Sequence, residues 1–233
     1  MTSETGKRPT KAELAKMLEH SVLGPASTKS DVSAGCELAR ALEVGVMVVQ
    51  PYWLEHAVAE LAGSCVLPAS VLSFPHGASL SCAKAAEAEK LALLGAKEID
   101  MVMNVGALKS GEFDLVHDDI MGVVAAAGAS VRLKVILETA LLSVDEIVRA
   151  CEIAERAGAA FVKTSTGFGP GGATREAVAL MRRSVGGNVG VKASGGIRTL
   201  EQALEMVDCG ACRIGTSATA RILQEMDAIS QRL

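Results

Sequence analysis

Short apolar runs and amphipathic stretches alternate along this chain at nearly even spacing. The runs are VGVMVVQ at 44–50, SCVLPASVLSF at 64–74, KEIDMVMNV at 97–105, VRLKVILET at 131–139, AAFVKTS at 159–165, NVGVKAS at 188–194 and CRIGTS at 212–217. They are almost continuously hydrophobic, the pattern of strands buried on both faces in a parallel sheet. The stretches between them, such as 28–43, 81–95 and 143–158, are alanine-rich and amphipathic, which predicts helices. Ser143 and Glu146 fit a capping box, and Gly95, Gly128, Gly158 and Gly210 stand where helices should stop ahead of a strand. A short first strand near residues 20–23 completes eight strand–helix units.

Eight such units in 233 residues suit a closed (β/α)8 TIM barrel, whose usual length is roughly 250 residues. No linker or low-complexity tract interrupts the series. The expectation is one domain over residues 1–233, with a short N-terminal helix and residues 1–10 as a disordered tail. An open doubly wound α/β sheet shares the same alternation. The barrel is preferred because Asp100, Lys134, Glu138, Lys163 and Lys192 fall near the carboxyl ends of strands, where barrels build their sites.

Composition removes several classes of function. Aromatic residues make up only 3% of the chain, which leaves little material for stacking bases or sugars, and a net charge of −4 gives no pull on nucleic acid or anionic membranes. No segment is apolar for long enough to span a bilayer, and the polar start MTSETGKRPTKAELAK has no secretory core. A cytoplasmic location is therefore expected. Cys209 and Cys212 have CxxC spacing without a second pair. His20, His56, His76 and His117 never fall in HxH or HxxxH spacing. Neither a metal nor another cofactor is expected. Tyr52 and Trp53 read as packing residues, and Phe74-Pro75-His76-Gly77 as a turn at the rim after the third strand.

The remaining charges suggest chemistry. Lys163 ends an apolar strand, where burial lowers the pKa of an amine and so exposes a nucleophile able to attack a carbonyl carbon. Lys192 has the equivalent place on the next strand, about 4.8 Å away, and a second cation lowers the first one's pKa further. Asp100 on the fourth strand is positioned to face both and to move protons. Structural salt bridges of Asp100 with Lys134 or Lys163 are the alternative; two matched lysines facing one carboxylate favour catalysis. Gly195 and Gly196 after strand 7, with Gly215, Thr216 and Ser217 at strand 8, suit a phosphate held by backbone N–H groups. Gly171 and Gly172 after strand 6 add possible donors, and Thr164 and Lys134 complete the candidate substrate contacts. The implied partner is a small phosphorylated substrate with a carbonyl group.

These motifs together resemble the deoxyribose-phosphate aldolase family over residues 14–223. The resemblance is carried by FVKTSTGF at 161–168, KASGGIRT at 192–199, EIDMVMNVGALKSG at 98–111, LKVILET at 133–139 and FPHGA at 74–78. It implies reversible, metal-free cleavage of 2-deoxy-D-ribose 5-phosphate to acetaldehyde and D-glyceraldehyde 3-phosphate. It also implies Lys163 as the Schiff-base lysine, Lys192 as the second lysine and Asp100 as the proton-handling carboxylate. The phosphate would lie near Gly172, Gly196 and Ser217. Homodimers or homotetramers are common among such barrels. The chain departs from the family pattern at Glu19, Ser21, Val22 and Gly24 in the first strand, at Val48 and Gln50 in the second, and at Ser73. It also lacks a C-terminal tyrosine. Rival readings are a related class I aldolase with a different substrate, a silent phosphosugar-binding barrel, and a metal-dependent aldolase.

Overall fold

In the computed structural model, which describes residues 8–230, eight parallel strands close on themselves in sequence order. They are β1 (Leu18–Val22), β2 (Val46–Val49), β3 (Leu67–Leu72), β4 (Glu98–Val102), β5 (Arg132–Ile136), β6 (Phe161–Lys163), β7 (Gly190–Ser194) and β8 (Arg213–Thr216). The helices are α1 (Lys11–Met17), α2 (Lys29–Ala41), α3 (Leu54–Glu60), α4 (Ser81–Leu93), α5 (Val105–Lys109), α6 (Phe113–Ala127), α7 (Val144–Arg156), α8 (Arg175–Ser184), α9 (Leu200–Asp208) and α10 (Thr219–Ser230). The TIM barrel expected from the alternation is present. The expected tail falls outside the described residues over 1–7, and Thr10 already caps α1 through its hydroxyl. Ser143 and Glu146 form the expected capping box of α7.

Two shells of side chains hold the barrel. Outward-facing strand residues such as Met47, Ile99, Met101, Val135, Val162 and Val191 join the helix faces in one continuous apolar layer. Inside the barrel, the β2–β3 wall is a separate apolar cluster of Val46, Val48, Ala69 and Val71. The remaining wall is charged: Glu19, Glu98, Asp100, Lys134, Lys163 and Lys192 are all 3% exposed or less. A buried ion is expensive unless opposite charge and hydrogen bonds surround it, so this wall must be a connected network.

Two boundaries differ from the sequence reading. β1 begins two residues earlier than expected, and the extra length brings Glu19 into the lumen beside β8. Of the charged residues expected near strand ends, only Lys163 ends its strand. Asp100, Lys134 and Lys192 occupy strand centres and Glu138 lies beyond β5. Apolar runs hide this register because inward and outward positions both read as buried when helices cover the sheet.

Candidate active site

Strand register sets the site. Lys163 pairs across the β6–β7 ladder with Lys192, and Asp100 pairs with Lys134 across β4–β5. Asp100 Oδ2 accepts from Lys163 Nζ and from Lys192 Nζ, each at 2.7 Å, while Oδ1 accepts from Lys134 Nζ at 2.8 Å. One carboxylate thus joins all three lysines. Lys134 also meets Glu98 at 2.5 Å and Glu19 at 3.3 Å. Lys192 donates to Glu19 as well.

The network treats its members unequally. Burial pushes the Lys163 ammonium down to about 8; Asp100 opposes the shift and Lys192 adds to it. Burial would also lower Lys134, but Asp100, Glu19 and Glu98 together drive it above the ordinary lysine value. Burial would raise Asp100, yet Lys134, Lys163 and Lys192 hold it well below the usual carboxylate range. Glu19 is lowered in the same way, by Lys134 and Lys192 against burial.

Lys163, Lys192 and Glu19 border a cavity of about 540 Å³ at the carboxyl end of the strands. The same cavity is lined by Gly195, Gly196, Arg198, Gly215, Thr216 and Ser217. Gly195 and Gly196 have φ of +89° and +82°, left-handed conformations that glycine adopts without strain and that shape the loop after β7. A Cβ on Gly215 would stand 3.0 Å from Lys192 Cε, so this glycine leaves room for the lysine side chain.

The other predicted contacts have different places. Thr164 is fully buried; its hydroxyl donates to Ser194 O and accepts from Ser194 N, both at 3.0 Å, which ties β6 to β7. Thr216 Oγ1 donates to Ile197 O at 2.7 Å and accepts from Ala218 N at 2.9 Å, fixing the β8 loop. Gly172 packs directly against Gly195, behind the rim, and a Cβ there would strike the Gly195 carbonyl. Lys134 lies below the cavity within the ion network. Among the positions that depart from the family pattern, Glu19, Ser21, Val22, Gly24 and Val48 line the cavity. Gln50 instead donates to Leu23 O and Gly24 O and holds the loop after β1.

Sequence reading missed Glu19, Glu98, Arg198 and Arg213 as members of this region. Arg198 had a usable signal, since it follows Gly195-Gly196-Ile197 within the same motif. Glu19, Glu98 and Arg213 had little, because strand-edge charges ordinarily point to solvent. His20 also borders the cavity; its Nδ1 is 3.0 Å from Thr219 Oγ1, and burial lowers its pKa. Among the described residues, no group of three or more His, Cys, Asp or Glu is arranged to hold a metal ion, and no helix is long and apolar enough to cross a membrane.

Comparison with known proteins gives a consistent picture. The DeoC/LacD family aldolase profile matches residues 14–223. A deoxyribose-phosphate aldolase of Bacillus mycoides is 50% identical over 210 residues, covering 90% of this chain and 94% of that protein. A crystal structure from Coccidioides immitis superposes with a TM-score of 0.91 at 37% identity, covering 98% of this chain and 89% of that one. The tetrameric deoxyribose phosphate aldolase of Aeropyrum pernix superposes at 0.86 with 29% identity, covering 94% and 93%.

Proposed function

The chain belongs to the DeoC/LacD family of aldolases, and from that premise we propose that it reversibly cleaves 2-deoxy-D-ribose 5-phosphate to acetaldehyde and D-glyceraldehyde 3-phosphate through an imine on Lys163. The observation that carries the assignment is the environment of that amine: it borders the cavity, and its pKa is about 8. A useful fraction is therefore uncharged near neutral pH, as attack on an aldehyde carbon requires.

The steps we propose begin at that amine. The neutral Lys163 amine adds to C1 of the open-chain sugar, and loss of water leaves a protonated imine. That cation draws the C2–C3 bonding electrons as the C3 hydroxyl gives up its proton. Glyceraldehyde 3-phosphate departs, and an enamine remains on the lysine. Protonation at its terminal carbon and hydrolysis then release acetaldehyde and restore the amine. Lys192 and Asp100 are the groups we assign to the proton transfers. Asp100 is kept ionised by the three lysines around it, so within those transfers it acts as an acceptor and relay for protons, and its charge also favours the cationic imine. We assign the phosphate to backbone N–H groups of Gly195, Gly196 and Gly215, with Ser217 and Arg198, all of which line the same cavity.

Trapping tests the assignment. Acetaldehyde with borohydride should leave an ethyl group on the peptide that contains Lys163, and Lys163→Ala should abolish both label and cleavage. A label on another lysine, or cleavage that survives in Lys163→Ala, would end the proposal. We also propose a homo-oligomer, a dimer or tetramer, in keeping with the tetrameric Aeropyrum relative. A cytoplasmic setting fits six free cysteines and a phosphorylated substrate.

A further inference from the structure

Beneath the reacting layer lies a second tier that the mechanism above does not use. Arg213 on β8 reaches Glu19 Oε1 of β1 and Glu98 Oε1 of β4, each at 3.5 Å. Its guanidinium stands over the Phe161 ring of β6, 5.5 Å from the centroid, and its side chain is only 15% exposed. Arg132 of β5 meets the same ring at 5.8 Å and also pairs with Glu98, but its side chain is 45% exposed. Lys192 of β7 is the register neighbour of Arg213. The groups facing Arg213 are therefore two carboxylates, one lysine, one ring and one more arginine beyond that ring.

Counting charge shows what this tier contributes. Glu19, Glu98 and Asp100 face Lys134, Lys163 and Lys192, all six almost wholly removed from solvent. An uncharged Lys163 leaves three anions opposite two lysines. The surplus negative field would draw a proton back onto Lys163, and Glu19 acts on Lys163 in that direction. Two arginines offset that surplus: Arg132 pairs with Glu98 alone from a half-exposed position where solvent screens it, whereas the more buried Arg213 touches both Glu19 and Glu98 from below.

We propose that Arg213 is a positioning residue for the aldol cleavage: by neutralising Glu19 and Glu98 at the base of the lumen, it lets Lys163 stand uncharged while Lys192 and Asp100 keep their places beside it. Arg213 touches no substrate and acts through Glu19 onto Lys192 and Lys163. The inference rests on Lys163 as the imine-forming amine, which borohydride labelling checks independently in every variant.

The test is the pH profile of kcat/KM in Arg213→Met, Arg213→Lys, Glu19→Gln and the double variant Glu19→Gln/Arg213→Met. Loss of one buried cation should move the rising limb of Arg213→Met upward by about one pH unit, roughly tenfold in rate at pH 7. KM should change little, because the phosphate rim is untouched. Arg213→Lys should keep the limb near its original position. The double variant removes an equal and opposite pair, so its limb should return toward the unmodified position. A folded Arg213→Met whose limb does not move overturns the proposal, as does a double variant that shows no return. Should Arg213→Met fail to fold, the double variant is compared with Glu19→Gln alone. Its limb must then lie higher, and coincident limbs overturn the idea. A labelling failure at Lys163 in the unmodified protein would instead overturn the Schiff-base assignment.

Discussion

Lys134 and Lys163 stand on neighbouring strands, both are buried, and both bind Asp100, yet their surroundings drive them in opposite directions. Lys134 sits low in the lumen against three carboxylates and is held charged. Lys163 sits at the mouth against one carboxylate, which it shares with Lys192, and is pushed down to about 8. Desolvation is the largest influence on each. The number of anions within reach decides the outcome. Burial alone does not make a lysine nucleophilic; burial combined with a shortage of negative charge does.

The largest expected effect separates the two lysines by stability. Lys134→Met would leave Glu19, Glu98 and Asp100 short of a buried cation, an arrangement that costs about 3–5 kcal/mol. Lys163→Met should cost far less, because Asp100 retains Lys134 and Lys192 and the lost charge was already disfavoured. Chemical denaturation of the two variants measures the difference, and equal losses would dissolve the distinction drawn here. A second, smaller effect sharpens it. Lys192→Leu removes the cation that competes for Asp100, so Lys163 should become harder to deprotonate. We expect kcat/KM at pH 7 to fall about 100-fold, close to 3 kcal/mol of barrier. The rising limb of the pH profile should shift upward, so that part of the loss is recovered at alkaline pH. A loss that stays constant across pH would assign Lys192 to proton transfer alone.

How much of this was legible beforehand follows from what a run of apolar residues conceals. Eight strands and their helices show in the alternation, and Lys163, Lys192 and Asp100 stand out as charges within apolar runs. Lys134 stands out in the same way, in RLKVI, and nothing local separates it from Lys163. The difference arises from Glu98, brought beside Lys134 by the β4–β5 register, and from Glu19, which is distant in sequence and meets Lys134 across the lumen of the closed barrel. Glu98 looks like the ordinary polar start of a strand, and Glu19 lies just ahead of the predicted β1. That loop residues after β7 and at the end of β8 line the cavity was readable from Gly195-Gly196 and from Gly215-Thr216-Ser217. The backbone ties made by Thr164 and by Thr216, which also lines the cavity, were not readable, because a threonine that ties two backbone segments together has the same sequence signature as one that faces a ligand.

The smallest effect concerns the pH dependence of stability and isolates Lys163 from its neighbour. A lysine with a folded pKa near 8 and an unfolded value near 10.5 binds fewer protons in the folded state between those limits. Stability therefore rises with pH in that window, by about 1.4 kcal/mol per unit at most. Lys134 has the opposite sign, since its folded value lies above 10.5; its contribution is present below that pH and is lost only above it. Between pH 7 and pH 9 only Lys163 of the pair should move. Denaturation of the unmodified protein and of Lys163→Met at both values should show their difference changing by about 1 kcal/mol in favour of the unmodified protein at pH 9. If the two curves stay parallel, the Lys163 amine keeps its proton in the folded barrel. The mouth of the lumen would then hold the same kind of lysine as its floor.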